Sequence, residues 1–314
     1  MIKNMPWLHS AVEQFHQRLL NQRLPHALLL QGRQGDGAEV LAHSLAQASL
    51  CANPELGYPC GQCKSCLLCQ AETHPDLLIL EPGGASETIR VDEIRTLVER
   101  FATTAQIASR KTAVIQHAES MNISAANALL KTLEEPPGDA LLILISEGTK
   151  PLLPTVRSRC QPISFNAPSA DEALQWLSDM GVSESLSKQM AEAFGYQPLR
   201  IAKWVEEGLD KHWSRFNTIL SGIADIKITP VSAASECKEI ALSDQLDWIE
   251  LKISSWVRLR AESNEPIGSQ WLKYIDQITA LRQQLLQSIN PNAQLFSENL
   301  FMLWQQFNRE CKTH

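Results

Sequence analysis

The stretch Ala27-Leu28-Leu29-Leu30-Gln31-Gly32-Arg33-Gln34-Gly35-Asp36-Gly37-Ala38-Glu39 decides the fold. A short apolar run, a glycine-rich turn and a following helix pattern form the strand–loop–helix unit of phosphate-binding domains. A working phosphate loop reads G-x-x-x-x-G-K-[ST]. Gly32 and Gly37 stand at both glycine positions, with Gly35 between them. Ala38 stands where a lysine would neutralise the β- and γ-phosphates, and Glu39 where a hydroxyl would hold Mg²⁺. Backbone N–H groups at the helix start would still attract an anion, and the Glu39 carboxylate opposes that. Taken alone, these residues read equally well as an ordinary glycine-rich turn.

Three more apolar runs follow, over Asp76–Leu80, Thr112–Ile115 and Ala140–Ile145. Helical spacing separates them. Val91, Ile94, Leu97, Val98 and Phe101 form one stripe, and Ala125, Leu129, Thr132 and Leu133 another. Pro136-Pro137 stops the second helix. Strands alternating with helices predict a mainly parallel sheet covered on both faces. The third strand leads into Gln116 and His117, where a hydrolytic P-loop domain would carry its magnesium-binding and catalytic acids. Glu119 lies two positions further on and is predicted to point elsewhere. Losing both halves of the machinery together favours a retired nucleotide site over an accidental turn.

After Phe165 the pattern is helical. Asn166-Ala167-Pro168-Ser169 reads as a linker into a helix starting near Ala170. Leu242, Leu246, Ile249, Ile253 and Trp256 form a stripe, as do Trp271, Ile275, Ile278, Leu285 and Ile289, and both read as bundle core. The tryptophans from Trp176 onward are packing residues on this reading. No basic run is interleaved with them to make a nucleic-acid stacking platform.

Five of the eight cysteines fall between Cys51 and Cys69, at Cys51, Cys60, Cys63, Cys66 and Cys69. Repeated Cys-x-x-Cys turns aim pairs of thiolates at one point, and two pairs close a tetrahedral zinc site. Five candidates compete for four places, and spacing alone does not name the spare one. Iron–sulfur ligation and a redox pair are the alternatives. No base or open position is evident, so a structural ion is favoured over a catalytic one.

The chain has 314 residues and a net charge of −7. That length predicts two or three domains. The charge argues against DNA binding through overall charge, though not against a local basic surface. No apolar run approaches the roughly 20 residues of a membrane span, and no secretory signal is legible, so a cytoplasmic location is expected. No cluster of carboxylates for two-metal nucleotidyl transfer is recognisable.

Ala128-Leu129-Leu130-Lys131-Thr132-Leu133-Glu134-Glu135-Pro136-Pro137, followed by Ser158-Arg159-Cys160, resembles the clamp-loader group of AAA+ proteins. Ile89-Arg90-Val91-Asp92-Glu93-Ile94-Arg95 matches the same group, and so does a cysteine insertion after the phosphate-loop helix. The resemblance is dense from Pro25 to Cys160 and looser beyond. It implies a RecA-like AAA+ domain over 1–165 with a zinc-binding insertion at about 51–69, a helical lid over 166–207 and a helical collar over 208–314. It implies structural Zn²⁺ on Cys51, Cys60, Cys63 and Cys66, leaving Cys69 spare. It implies that Arg159 completes the ATP site of an adjacent motor subunit. It also implies a non-catalytic role within a hetero-pentamer of gamma/tau-type motor subunits and a delta subunit. Through that complex the chain would meet a sliding clamp and primer–template DNA, without binding ATP itself. Arg200 sits where active relatives carry a lid arginine and is expected to be residual or structural.

Overall fold

The computed structural model describes residues 2–33, 35–83, 88–147, 151–194, 196–263, 270–287 and 292–311. Gln34 and Ile289, named above, lie outside them. The chain divides into two compact units, one of Met1–Trp176 with Gln197–Leu199, the other of Leu177–Tyr196 with Arg200–His314. The lid–collar boundary implied by the resemblance falls inside the second unit.

The first unit runs α1 (His9–Leu20), β1 (Ala27–Gln31), α2 (Ala38–Leu50), α3 (Lys64–Gln70), β2 (Leu77–Leu80), α4 (Val91–Phe101), β3 (Lys111–Ile115), α5 (Ile123–Glu134), β4 (Ala140–Ser146), α6 (Pro154–Arg157) and β5 (Gln161–Ile163). The helix α7 (Ala170–Asp179) begins in it. The strands form one sheet in the order β2-β3-β4-β1-β5, and every pairing is parallel.

The apolar runs are continuous because both faces of the sheet are covered. Ala27 and Leu29 of β1, Ala113 and Ile115 of β3, and Leu142 and Leu144 of β4 share a core with Ile94, Leu97 and Phe101 of α4 and Leu129 and Leu133 of α5. The alternate residues Leu28, Leu30, Val114, Ile143 and Ile145 are equally buried, and α2 packs against β1, β3 and β4. Each such side chain contributes about 1.5–3 kcal/mol relative to exposure. The caps agree with the sequence. The Asn122 side chain accepts from the Ala125 N–H at the start of α5, and α5 ends before Pro136-Pro137.

β5 is the element that the periodicity does not reveal. It has three residues, one of them Pro162, and two of the three are exposed. Proline is tolerated there because β5 is an edge strand, paired with β1 alone.

The second unit is helical: α8 (Glu184–Phe194), α9 (Pro198–Glu206, from Arg200), α10 (Leu209–Ala224), α11 (Pro230–Glu236), α12 (Leu242–Glu262), α13 (Gln270–Gln287) and α14 (Ala293–Cys311). α14 packs against α10, α11, α12 and α13. Trp248 lies at its centre, meeting Trp204, Trp213 and Phe216 edge-on at 6.4, 5.6 and 5.1 Å between ring centroids. Leu246, Ile249 and Ile253 are buried as their stripe predicts. Arg200 donates to Asp247 at 3.0 Å and lies over the Trp204 ring at 4.6 Å. Arg282 bridges Asp247 and Glu250 at 2.7 and 2.6 Å. Arg200 is thus part of a packed ionic network within this unit.

The strand order sets up the site. In a parallel sheet all carboxyl ends point one way, and ligands bind beyond them. Leu30 is level with Ile145, and Ile115 with Leu144. The chain leaving β1, β3 and β4 therefore emerges at one edge.

Candidate functional site

The glycine loop leaves β1 and turns into α2 at Gly37, whose φ of 104° favours glycine. A Cβ at Gly37 would meet a Leu8 methyl at 3.0 Å and a Leu199 methyl at 3.6 Å. One at Gly32 would stand 2.5 Å from the Phe165 ring. The indole N–H of Trp7 donates to the Asp36 carbonyl at 2.8 Å, and the Leu199 N–H reaches the Gly35 carbonyl at 3.4 Å. Asp36 folds back so that its carboxylate accepts from the Arg33 N–H at 3.2 Å. Burial raises its pKa above the usual value. The loop keeps its shape through apolar packing and its own hydrogen bonds. Ala38, at the lysine position, is buried.

The end of β3 has been put to other uses. The Gln116 amide donates to Glu81 at 2.8 Å and lies 3.1 Å from His43 of α2. His117 follows with a positive φ of 46°. Its Nε2 lies 3.7 Å from Glu39 and its Nδ1 3.5 Å from Glu147, the residue that leaves β4. Glu119 accepts from the Glu147 N–H at 3.0 Å, which engages its carboxylate with backbone. Sequence spacing does not foretell the meeting of Glu39, His117 and Glu147, because only the strand order joins them.

The cysteines lie between α2 and β2. Cys51 follows the last residue of α2, and Cys63 is the N-cap of α3, its sulfur accepting from the Cys66 N–H at 3.4 Å. The Cys51 sulfur accepts from the Cys60 N–H at 3.3 Å. Cys51 and Cys63 have sulfurs 3.8 Å apart, and Cys60 and Cys66 3.9 Å apart. All four sulfurs lie within 4.8 Å of one another. Four thiolates at ~2.3 Å from a tetrahedral ion sit about 3.8 Å apart, so the donor set fits a metal ion. Cys69, one helical turn beyond Cys66, is buried and stands outside this group. His74 is also outside it. Its Nδ1 accepts from the Asp76 N–H at 3.1 Å.

Charge is distributed unevenly among the thiols. Burial works against ionisation of Cys63, but the N–H groups of Ala52 and Cys66 and the neighbouring thiols outweigh it, bringing Cys63 down to about 6. Burial pushes Cys66 up, and Cys63 and Cys51 add to that rise. Burial and the same two neighbours hold Cys69 up at about 11. Crowded thiolates of this kind are stabilised by a cation.

Arg159 lies just after α6, 35 % exposed, against Glu134 at the end of α5. Its Nε donates to Glu134 at 2.9 Å, its Nη2 donates to the same oxygen, and its Nη1 donates to the Thr155 carbonyl at 2.9 Å. The partner Glu134 belongs to the quoted Leu133-Glu134-Glu135-Pro136-Pro137 segment, yet their pairing is not visible from spacing.

No helix among the described residues is long and apolar enough to cross a membrane. Residues 7–169 match the family described as DNA polymerase III, delta subunit. A 188-residue stretch is 44% identical to DNA polymerase III subunit delta' of Pseudomonas aeruginosa, covering 60% of this chain and 55% of that one. Against the same subunit of Escherichia coli the identity is 37% over 173 residues, covering 55% and 52%. The chain thus spans about half the length of these two relatives. Among solved structures, a DNA polymerase III gamma subunit-related protein of Thermotoga maritima superposes with a TM-score of 0.53. It is 18% identical and covers 95% of this chain and all of that one, a likeness that speaks for the fold alone. The α/β frame followed by helices is accordingly a fold shared with that protein, and the chain belongs to the DNA polymerase III delta subunit family.

Proposed function

We propose that this chain is the non-catalytic, delta-prime-type subunit of a bacterial clamp loader. It assembles with gamma/tau-type motor subunits and a delta subunit in a hetero-pentamer, and helps that complex place the sliding clamp on primed DNA. Contact with the clamp and with primer–template DNA comes through the complex. The domain scheme of AAA+ domain over 1–165, lid over 166–207 and collar over 208–314 belongs to this reading, as does a cytoplasmic location.

One observation carries the proposal. The loop keeps Gly32, Gly35 and Gly37 but carries Ala38 and Glu39 where ATP chemistry needs a cation and a hydroxyl, while Arg159 stands partly exposed at the end of the same unit. A chain without its own phosphate clamp has no phosphate in cis for such an arginine to reach, and its cis partners are Glu134 and the Thr155 carbonyl. Offered to a neighbour, the guanidinium stabilises charge that develops on a transferring phosphoryl group.

Cys51, Cys60, Cys63 and Cys66 would hold a structural Zn²⁺, which would tie the insertion between α2 and β2 into one piece. The ion supplies folding energy there and no reaction step.

The test is reconstitution with motor and delta subunits. The chain alone should show no magnesium-dependent ATP turnover. Its addition should raise the clamp- and DNA-stimulated ATPase of the mixture. Turnover by the purified chain, or a mixture indifferent to it, contradicts the proposal.

A further inference from the structure

A cavity of about 530 Å³ lies between α1 and the tight turn at Glu55–Tyr58. Val12, Glu13 and His16 of α1 line it, with Leu56 and Tyr58 of the turn and Lys3 from the first residues of the chain. None of the four clustered cysteines lines it. We propose that this cavity binds a segment of a partner protein that carries an apolar side chain with an acidic and a basic one close by. The inference is independent of the role given to Arg159.

The walls are fixed before any ligand arrives. Glu55 and Tyr58 exchange two backbone hydrogen bonds of 2.9 Å. Leu56 and Gly57 between them both have positive φ, 50° and 83°, as in the two-residue I′ turn of a hairpin. A Cβ at Gly57 would stand 2.8 Å from the Val12 carbonyl oxygen and 2.9 Å from the His16 Cβ, so the turn is seated directly on α1. Cys51 and Cys60 bracket the turn in sequence. The volume falls in the roughly 300–1,000 Å³ range of preformed binding sites.

The lining selects the occupant. Leu56 is 75 % exposed, and the first central position of an I′ turn favours Asn or Gly. A leucine there serves neither the turn nor the core. Beside Tyr58 and Val12 it completes a place for an apolar side chain. The Lys3 ammonium lies over the Tyr58 ring at 5.5 Å. Among the described residues neither Lys3 nor Glu13 has an ion-pair partner. One cation and one anion thus line the same cavity without engaging each other, and each is open to an opposite charge on a ligand. A nucleic-acid strand fits worse, because Lys3 alone would neutralise its phosphates while Glu13 repelled them.

The test pans the whole chain, loaded with zinc, against a library of random heptapeptides. An enriched peptide is then labelled with fluorescein and titrated by fluorescence anisotropy. The enriched sequences should combine an apolar side chain with an acidic and a basic one. Leu56→Asn suits the turn, so it should unfold no earlier than wild type, yet weaken the peptide about tenfold or more. Lys3→Glu should weaken it as much. Lys3 is exposed, so this variant decides the matter if Leu56→Asn folds poorly. Absence of an enriched motif, unchanged binding in Lys3→Glu or in folded Leu56→Asn, or displacement of the peptide by an oligothymidylate overturns the proposal.

Discussion

Arg159 rests on Glu134: two nitrogens of the guanidinium converge on one carboxylate oxygen, and the third reaches the Thr155 carbonyl. The contact ties the arginine to the last residue of α5 and to α6. Both side chains remain substantially exposed, at 35 % and 52 %. Exposed pairs of this kind contribute about 0–1 kcal/mol. Glu134→Ala and Arg159→Ala should each leave the urea-unfolding free energy within about 1 kcal/mol of wild type. A larger loss assigns Arg159 to folding and removes the reason to look for its work elsewhere.

Cys69 supplies a test of the metal set. Its sulfur lies outside the group formed by Cys51, Cys60, Cys63 and Cys66. Cys69→Ser should retain one equivalent of zinc per chain by elemental analysis, while Cys63→Ser should lose it. Loss of metal from Cys69→Ser would show that a different four thiols hold the ion.

Repairing the phosphate loop should not restore hydrolysis. Ala38→Lys with Glu39→Thr recreates the motif, but Gln116 and His117 still stand where the acids belong. The loop also stays packed by Leu8, Leu199 and Phe165. The double variant is expected to show no ATP turnover above background in a phosphate-release assay. Measurable turnover would mean that the two substitutions alone silenced the site.

Asp76 sets an acid limit on the first unit. Its carboxylate is fully buried and accepts from the N–H groups of Gln106, Ile107 and Ala108 at 2.7, 2.8 and 2.9 Å. Burial works against its charge, but the three donors outweigh that and hold its pKa below the ordinary 3.8. A depressed carboxyl contributes stability that is complete above its unfolded pKa and is lost as pH falls through the folded one. Asp76→Asn should cost about 1.5–3 kcal/mol at pH 7. The gap to wild type should shrink only as the pH falls below about 4. A gap independent of pH would mean that shape, and not charge, holds that loop.

The frame of this chain was legible because its apolar runs are continuous and its helices carry clean stripes. Ala27–Gln31, Leu77–Leu80, Lys111–Ile115 and Ala140–Ser146 all fall on runs read from sequence. Gln161–Ile163 was not legible, since an edge strand needs neither length nor alternation, and Pro162 argues against it locally. The cysteine spacing predicts a metal site, and the folded chain brings four of the sulfurs within 4.8 Å of one another, a set that could hold an ion. The cluster of Glu39, His117 and Glu147 was illegible for a different reason: its members are far apart in sequence, and the order β3-β4-β1 alone makes them neighbours. The partnership of Arg159 with Glu134 depends likewise on how α5 and α6 pack.

The most direct test of the account is the clamp- and DNA-stimulated ATPase of a reconstituted loader containing Arg159→Ala. Assembly, followed by size-exclusion chromatography, should be unchanged. On the proposed role, the one ATP site that Arg159 would complete should slow by about a thousandfold, seen as a partial fall in the total rate. An unchanged rate in a fully assembled complex would contradict the account and reduce the chain to a scaffold.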